Sequence, residues 1–149
     1  MDIFSKLMML AFFFAMRSCE YLKVEQSDQR RTSPLRKHNF VFMRNHTVLP
    51  HTSPFLEQAD TVTLYFEFQK RDLRNDSVTQ AKTGKHRDCP VKAAAAIIRR
   101  MQRQGMSDDD FIYSFLHETN KRKTAFTSKV ARTMLRQFIG SVVHANYGL

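Results

Sequence analysis

The sequence holds no tryptophan and is poor in cysteine, glycine and proline: two Cys, four Gly and four Pro in 149 residues. Cys19 and Cys89 are too few for a disulfide framework, and with no Cys/His spacing they offer no metal set. Both read as buried or half-buried thiols in a reducing compartment. No glycine-rich loop is present to cradle a phosphate, and no nucleophile-elbow pattern marks a hydrolase. There is no internal repeat and no low-complexity tract. No apolar run is long enough to cross a bilayer as a helix. Acid is also scarce, with fourteen Asp and Glu against twenty-four Lys and Arg.

That imbalance, a formal charge of +10, favours polyanions: nucleic acid first, an anionic membrane second. The longest apolar run, Leu7 to Met16, follows Lys6 and has the form of a short secretory core. No small-x-small cleavage site follows it, and a buried helix accounts for it better. Asn45-His46-Thr47 and Asn75-Asp76-Ser77 fit the glycosylation sequon, a triplet common by chance. The six histidines, His38, His46, His51, His86, His117 and His144, are scattered and read as structural or solvated.

Residues 3–16 are apolar nearly all round, which predicts a buried helix that continues through Arg17 to about Val24. Residues 25–38 read as a basic surface loop carrying Arg30, Arg31, Arg36 and Lys37. A short strand is expected over 39–43 and a loop over 50–60. Val62, Leu64, Phe66 and Phe68 alternate with Thr61, Thr63, Tyr65 and Glu67, the strongest strand pattern in the chain. A polar turn and a return strand over 77–83 complete a hairpin. Pro90 opens a helix whose apolar positions repeat to Met101, with Gly105 as its stop. Ser107 and Asp110 look like a capping box for a further helix through Phe111, Phe115 and Leu116. After a basic loop at 121–123, a last helix from Thr127 or Ser128 is expected to bury Val130, Met134, Leu135, Phe138, Ile139 and Val142. The expected class is α+β, mostly helical, with a small three-stranded antiparallel sheet.

Ala15-Met16-Arg17-Ser18-Cys19-Glu20-Tyr21-Leu22 closes the apolar helix with Arg and then Glu three residues on. From Thr61 to Met101 the order is strand, lysine, hairpin turn, return strand and proline-led helix. This succession resembles the catalytic domain of tyrosine recombinases of the phage integrase type, and is similar to those of eukaryotic mobile elements. The resemblance covers nearly the whole chain and rests on several short motifs in order. It implies DNA strand breakage and rejoining, as in recombination or integration, without metal or cofactor. Arg17 matches the arginine that clamps the scissile phosphate, a role suited to two parallel guanidinium donors. Glu20 matches the acidic residue that supports the fold there, and Ala15 stands where the family has glycine. Lys70 matches the hairpin lysine that protonates the leaving oxygen, with Lys82 and Lys85 as alternatives. Arg30, Arg31, Arg36, Lys37, Arg71, Lys82 and Lys85 are the expected DNA contacts, with Arg74, Arg99, Arg100 and Lys121 to Lys123 as further phosphate-touching candidates.

The family's His-x-x-Arg box and nucleophilic tyrosine have no match: His117 is followed at the third place by Asn120 and His144 by Tyr147. The expectation is therefore a partial catalytic domain over residues 1–149 with no separate core-binding domain, inactive alone. It would be intracellular, nuclear in a eukaryote, with DNA as partner and homo-oligomers forming on DNA in a full-length form. The alternative is a non-enzymatic basic DNA-binding module.

Overall fold

The computed structural model describes residues 3–24, 33–68, 74–85, 87–117 and 119–147, without the side chains of residues 68, 74, 75, 138 and 141–147. It is a small α/β domain with four α-helices, a four-stranded antiparallel sheet and a two-stranded sheet, 39% helical and 26% strand. The expected mostly helical domain with three strands is thus corrected. A strand was missed and a helix was assigned where a hairpin forms.

Helix α1 (Ile3–Phe13) buries Phe4, Leu7, Leu10 and Ala11. It stops well before Val24. Ala15 takes a left-handed φ of 48°, its amide bonds Phe12 O, and the Met16 amide reaches back to Ala11 O at 2.9 Å. This is a Schellman stop, a place that favours glycine because a Cβ is crowded at positive φ. A one-turn helix, α2 (Ser18–Tyr21), follows.

The large sheet runs β2 (Thr47–Leu49), β1 (Phe40–Arg44), β3 (Thr61–Phe68), β4 (Arg74–Ala81) in space. Strand β2 lies in residues 44–49, between the expected strand and the expected loop, where no element was assigned. Asn45 and His46 both have positive φ, 49° and 61°, as a two-residue type I′ hairpin requires, so the chain folds straight back onto β1. The alternation of β3 behaves as expected: Val62, Leu64 and Phe66 are buried. Phe40 sits opposite Leu64 and Phe42 opposite Val62, giving one apolar face. The return strand begins at Arg74, three residues earlier than expected.

Helix α3 (Pro90–Arg103) starts on its N1 proline and buries Val91, Ala93, Ala94, Ala95, Ile97, Ile98 and Met101. It packs against α1 and the sheet. Its end repeats the stop of α1 with the preferred residue: Gly105 has φ 65° and the Met106 amide bonds Met101 O at 2.9 Å.

The helix expected from Ser107 does not form. Asp110 does accept the Ser107 amide, at 2.9 Å, but the two residues close a turn. Neighbours claim the backbone groups an i→i−4 ladder would need. Lys37 and His38 amides bond Asp110 O and Asp108 O, and the Ile112 amide bonds Leu35 O. The Gln104 side chain takes both the N–H and the carbonyl of Leu116. The segment instead enters β5 (Ser114–Leu116), paired with β6 (Lys123–Ala125).

Helix α4 (Ser128–Tyr147) departs from expectation on its apolar stripe. Ala131 is buried and Met134 partly so, but Val130, Leu135 and Ile139 are 43%, 39% and 59% exposed. Nothing among the described residues covers them. The side chains of Phe138 and Val142 lie outside the described set.

Candidate nucleic-acid interface

Arg17 sits between two fixed points. On one side is the Schellman stop at Ala15; on the other is α2. The Glu20 carboxylate accepts the Arg17 amide at 2.8 Å, and the Glu20 amide bonds Arg17 O at 2.9 Å. Glu20 is itself buried, with its carbonyl taking the Leu35 amide. An acidic residue three places after the arginine therefore positions the Arg17 backbone and does not neutralise its side chain. That side chain is exposed, and among the described residues no carboxylate pairs with it.

The other expected contacts divide. Lys70, Arg71, Arg30 and Arg31 lie outside the described residues. Lys85 is exposed. Lys82 pairs with Asp60 at 2.8 Å. Asp60 also holds the Asn45 amide at the β1–β2 turn, so Lys82 fastens a turn. Arg36 lies over the Phe111 ring at 4.3 Å and donates to Asp109 O at 2.7 Å. Lys37, expected on a surface loop, is buried: its ammonium bonds Asp108 at 2.9 Å and Met106 O at 3.1 Å. Burial there leaves it no reach to DNA, and its work is to dock residues 35–39 onto the 106–110 loop.

His38 belongs to the same dock. Its Nε2 meets Glu67 at 2.6 Å and its Nδ1 meets Asp108 O at 3.0 Å. Bonds from His38 and then Asn39 hold the Glu67 carboxyl below its ordinary range. Lys37 does the same for Asp108, and Lys82 for Asp60. His51 bonds Phe40 O at 2.7 Å. Both histidines hold structure, and no group of three or more His, Cys, Asp or Glu is placed to hold a metal among the described residues.

Arg100 was read only as one more basic residue. Its Nη2 donates to Ile112 O at 3.1 Å and Ser114 O at 2.9 Å, while Nε and Nη1 are buried with no acceptor among the described residues. Burial pulls the guanidinium down to about 10, so it stays charged at neutral pH. Its position on the inner side of α3 could not be read from a run of basic residues.

Comparison with protein-family models, curated proteins and solved structures finds no match. No helix among the described residues is long and apolar enough to cross a membrane.

Proposed function

We propose that this chain handles nucleic acid, and that it does so as part of a tyrosine-recombinase-type catalytic domain. One observation carries the reading: Arg17 presents an exposed guanidinium, with no carboxylate partner among the described residues, on a backbone fixed by Glu20 and by the turn at Ala15. The position where the resembled family has glycine is the position whose φ is positive here, so the motif's spacing has a physical sense in this chain. Support also comes from the order of elements. An apolar helix leads to Arg17, Lys70 lies in sequence between the paired strands β3 and β4 and outside the described residues, and a proline-led helix follows.

In this reading Arg17 holds two non-bridging oxygens of a DNA phosphate and stabilises charge as it builds there. Lys70 is the proton donor to the leaving oxygen. These 149 residues contain no His-x-x-Arg box, so no strand cleavage is expected from them alone. The non-enzymatic alternative explains the net charge as well and leaves Arg17 as one phosphate contact among several.

The test is duplex binding by fluorescence anisotropy, with Arg17→Ala beside the parent chain. Arg17→Ala is expected to weaken binding by about three- to tenfold and to reduce the salt slope by about 1. No covalent adduct should form on nicked DNA. Absence of binding at low salt, or an unchanged Arg17→Ala, overturns the reading. Covalent adduct formation separates the two versions only when the chain is supplied with the missing arginine box and tyrosine in trans.

A further inference from the structure

Beside the β5–β6 hairpin lies a groove of about 640 Å³, lined by Lys23, Tyr113, Ser114, Lys123, Thr124 and Thr127 among others. Three elements build it. Lys23 follows α2 and bridges to Thr127, with the Lys23 amide on Phe126 O and the Ser128 amide on Lys23 O, both at 2.9 Å. Thr127 caps α4, its Oγ1 accepting the Val130 amide at 3.2 Å. The groove thus meets the start of a 20-residue helix, where aligned peptide dipoles leave roughly half a positive charge. The third wall is β5.

The charged side chains that line this groove are Lys23 and Lys123. Lys23 is exposed and among the described residues pairs with no carboxylate. Lys123 pairs with Asp110, and Arg36 lies over the neighbouring Phe111. Behind the wall, Arg100 bonds the carbonyl of Ser114, a groove residue, and its Nε and Nη1 atoms are buried without acceptors among the described residues. Buried donors left without acceptors are costly. One residue separates the field of Arg100 from the groove, and protein between charges screens far less than water.

We infer that this groove binds a phosphate group, with Lys23 and the Thr124 and Thr127 side of the groove facing its oxygens and Arg100 reinforcing them through the Ser114 wall. Phe111 and Tyr113 stack on each other at 5.0 Å and 18°, and Arg36 covers the outer face of Phe111. Phe111 is thus occupied by Tyr113 and Arg36, and Tyr113 is buried, so contact is with phosphate and not with a stacked base, and sequence preference is slight. The inference rests on the nucleic-acid reading for the source of that phosphate, a strand backbone. A free nucleotide or pyrophosphate carries the same chemistry.

The experiment titrates the chain with a labelled oligonucleotide of about 20 nucleotides and, separately, with sodium pyrophosphate at fixed ionic strength. Lys23→Gln, Arg100→Met and Arg17→Ala are run alongside. Lys23→Gln is expected to weaken the oligonucleotide about tenfold and cut the salt slope by about 1. Arg100→Met is expected to weaken it about threefold with the thermal midpoint kept. If Arg100→Met fails to fold, Lys23→Gln on the surface still decides. Parent-like binding by Lys23→Gln with Arg17→Ala impaired overturns the groove and leaves the nucleic-acid reading standing. Pyrophosphate binding that Lys23→Gln abolishes, with no oligonucleotide binding, keeps the groove and removes that reading. No binding of either probe removes both.

Discussion

Residues 3–103 and residues 106–147 of one chain solve the same problem unequally. The first set closes a core: Leu7, Leu10, Phe42, Val62, Leu64, Ile97, Ile98 and Met101 are fully buried. The second adds Met106, Ile112 and Ala131 to that core but leaves Val130, Leu135 and Ile139 on the surface. It also borders the groove beside β5 and β6, and its Ile112 and Ser114 carbonyls accept from the half-buried Arg100. The difference teaches that one chain can close its core in one part and leave an apolar stripe open in another. Apolar burial is complete where α3 meets α1 and the sheet, and the stripe of α4 has no described residue over it.

The largest test of that contrast is a cavity in the first region. Ile98→Ala should cost about 3 kcal/mol, within the usual range for emptying a well-packed isoleucine site, read from urea unfolding. A loss under about 1 kcal/mol would mean the site collapses freely and the core is not the tight one described. Acid acts on carboxylates within each region and, through Asp108 and Lys37, on the contact between them. Asp60, Glu67, Asp108 and Asp110 are all held below their ordinary carboxyl range. For Asp110, burial pushes upward but the Lys123 and Ser107 bonds outweigh it. Because the folded-state values are depressed, their contribution is whole above about pH 4.5 and drains as pH falls through and below about 4. The urea midpoint should therefore drop between neutral pH and about pH 3; an unchanged midpoint contradicts the pairing.

A smaller, reciprocal pair compares the two Schellman stops. Ala15→Gly should stabilise by about 0.5–1 kcal/mol and Gly105→Ala destabilise by about 1 kcal/mol, since only the backbone conformation is at issue. No atom lies within 4 Å of a Cβ built on Gly105, so a large loss there would point to a clash the structure lacks. The smallest effect belongs to α4. Leu135→Ser should change stability by less than about 0.5 kcal/mol. A loss of 2 kcal/mol or more, of the order of a buried large-to-small change, would show that its stripe is covered in solution.

Much of the fold was legible where one local rule acted alone. Period two gave β3 and its buried face, and Pro90 and Gly105 bracketed α3 as expected. The N-terminal apolar run proved to be a core helix, though its length was overread because an alanine, not a glycine, makes the stop. What escaped depended on distant partners. The Ser107–Leu116 segment has a helix-start pattern, yet residues 35–38 and Gln104 claim its backbone. Strand β2 hinges on two positive-φ residues in a row, Asn45 and His46, neither of them glycine. The stripe of α4 has core periodicity without a core to meet. Of the candidate site, Arg17 was legible from its motif and keeps an exposed side chain. Lys37 and Lys82 looked equally basic, and only their packing against Asp108 and Asp60 shows that their charge is spent within the fold. Lys23 and Thr127 belong to no motif, and a parallel bridge across more than a hundred residues brings them together.

The central claim is that this chain's uncompensated positive charge serves a nucleic-acid backbone, and one titration meets it directly. Oligonucleotide affinity would be measured by anisotropy from about 50 to about 200 mM salt, a span over which several phosphate contacts cost orders of magnitude in affinity. The account predicts binding at the low end, a steep linear loss with salt, and a shallower line for Lys23→Gln and Arg17→Ala. No binding at about 50 mM salt, or binding that salt does not weaken, would contradict it.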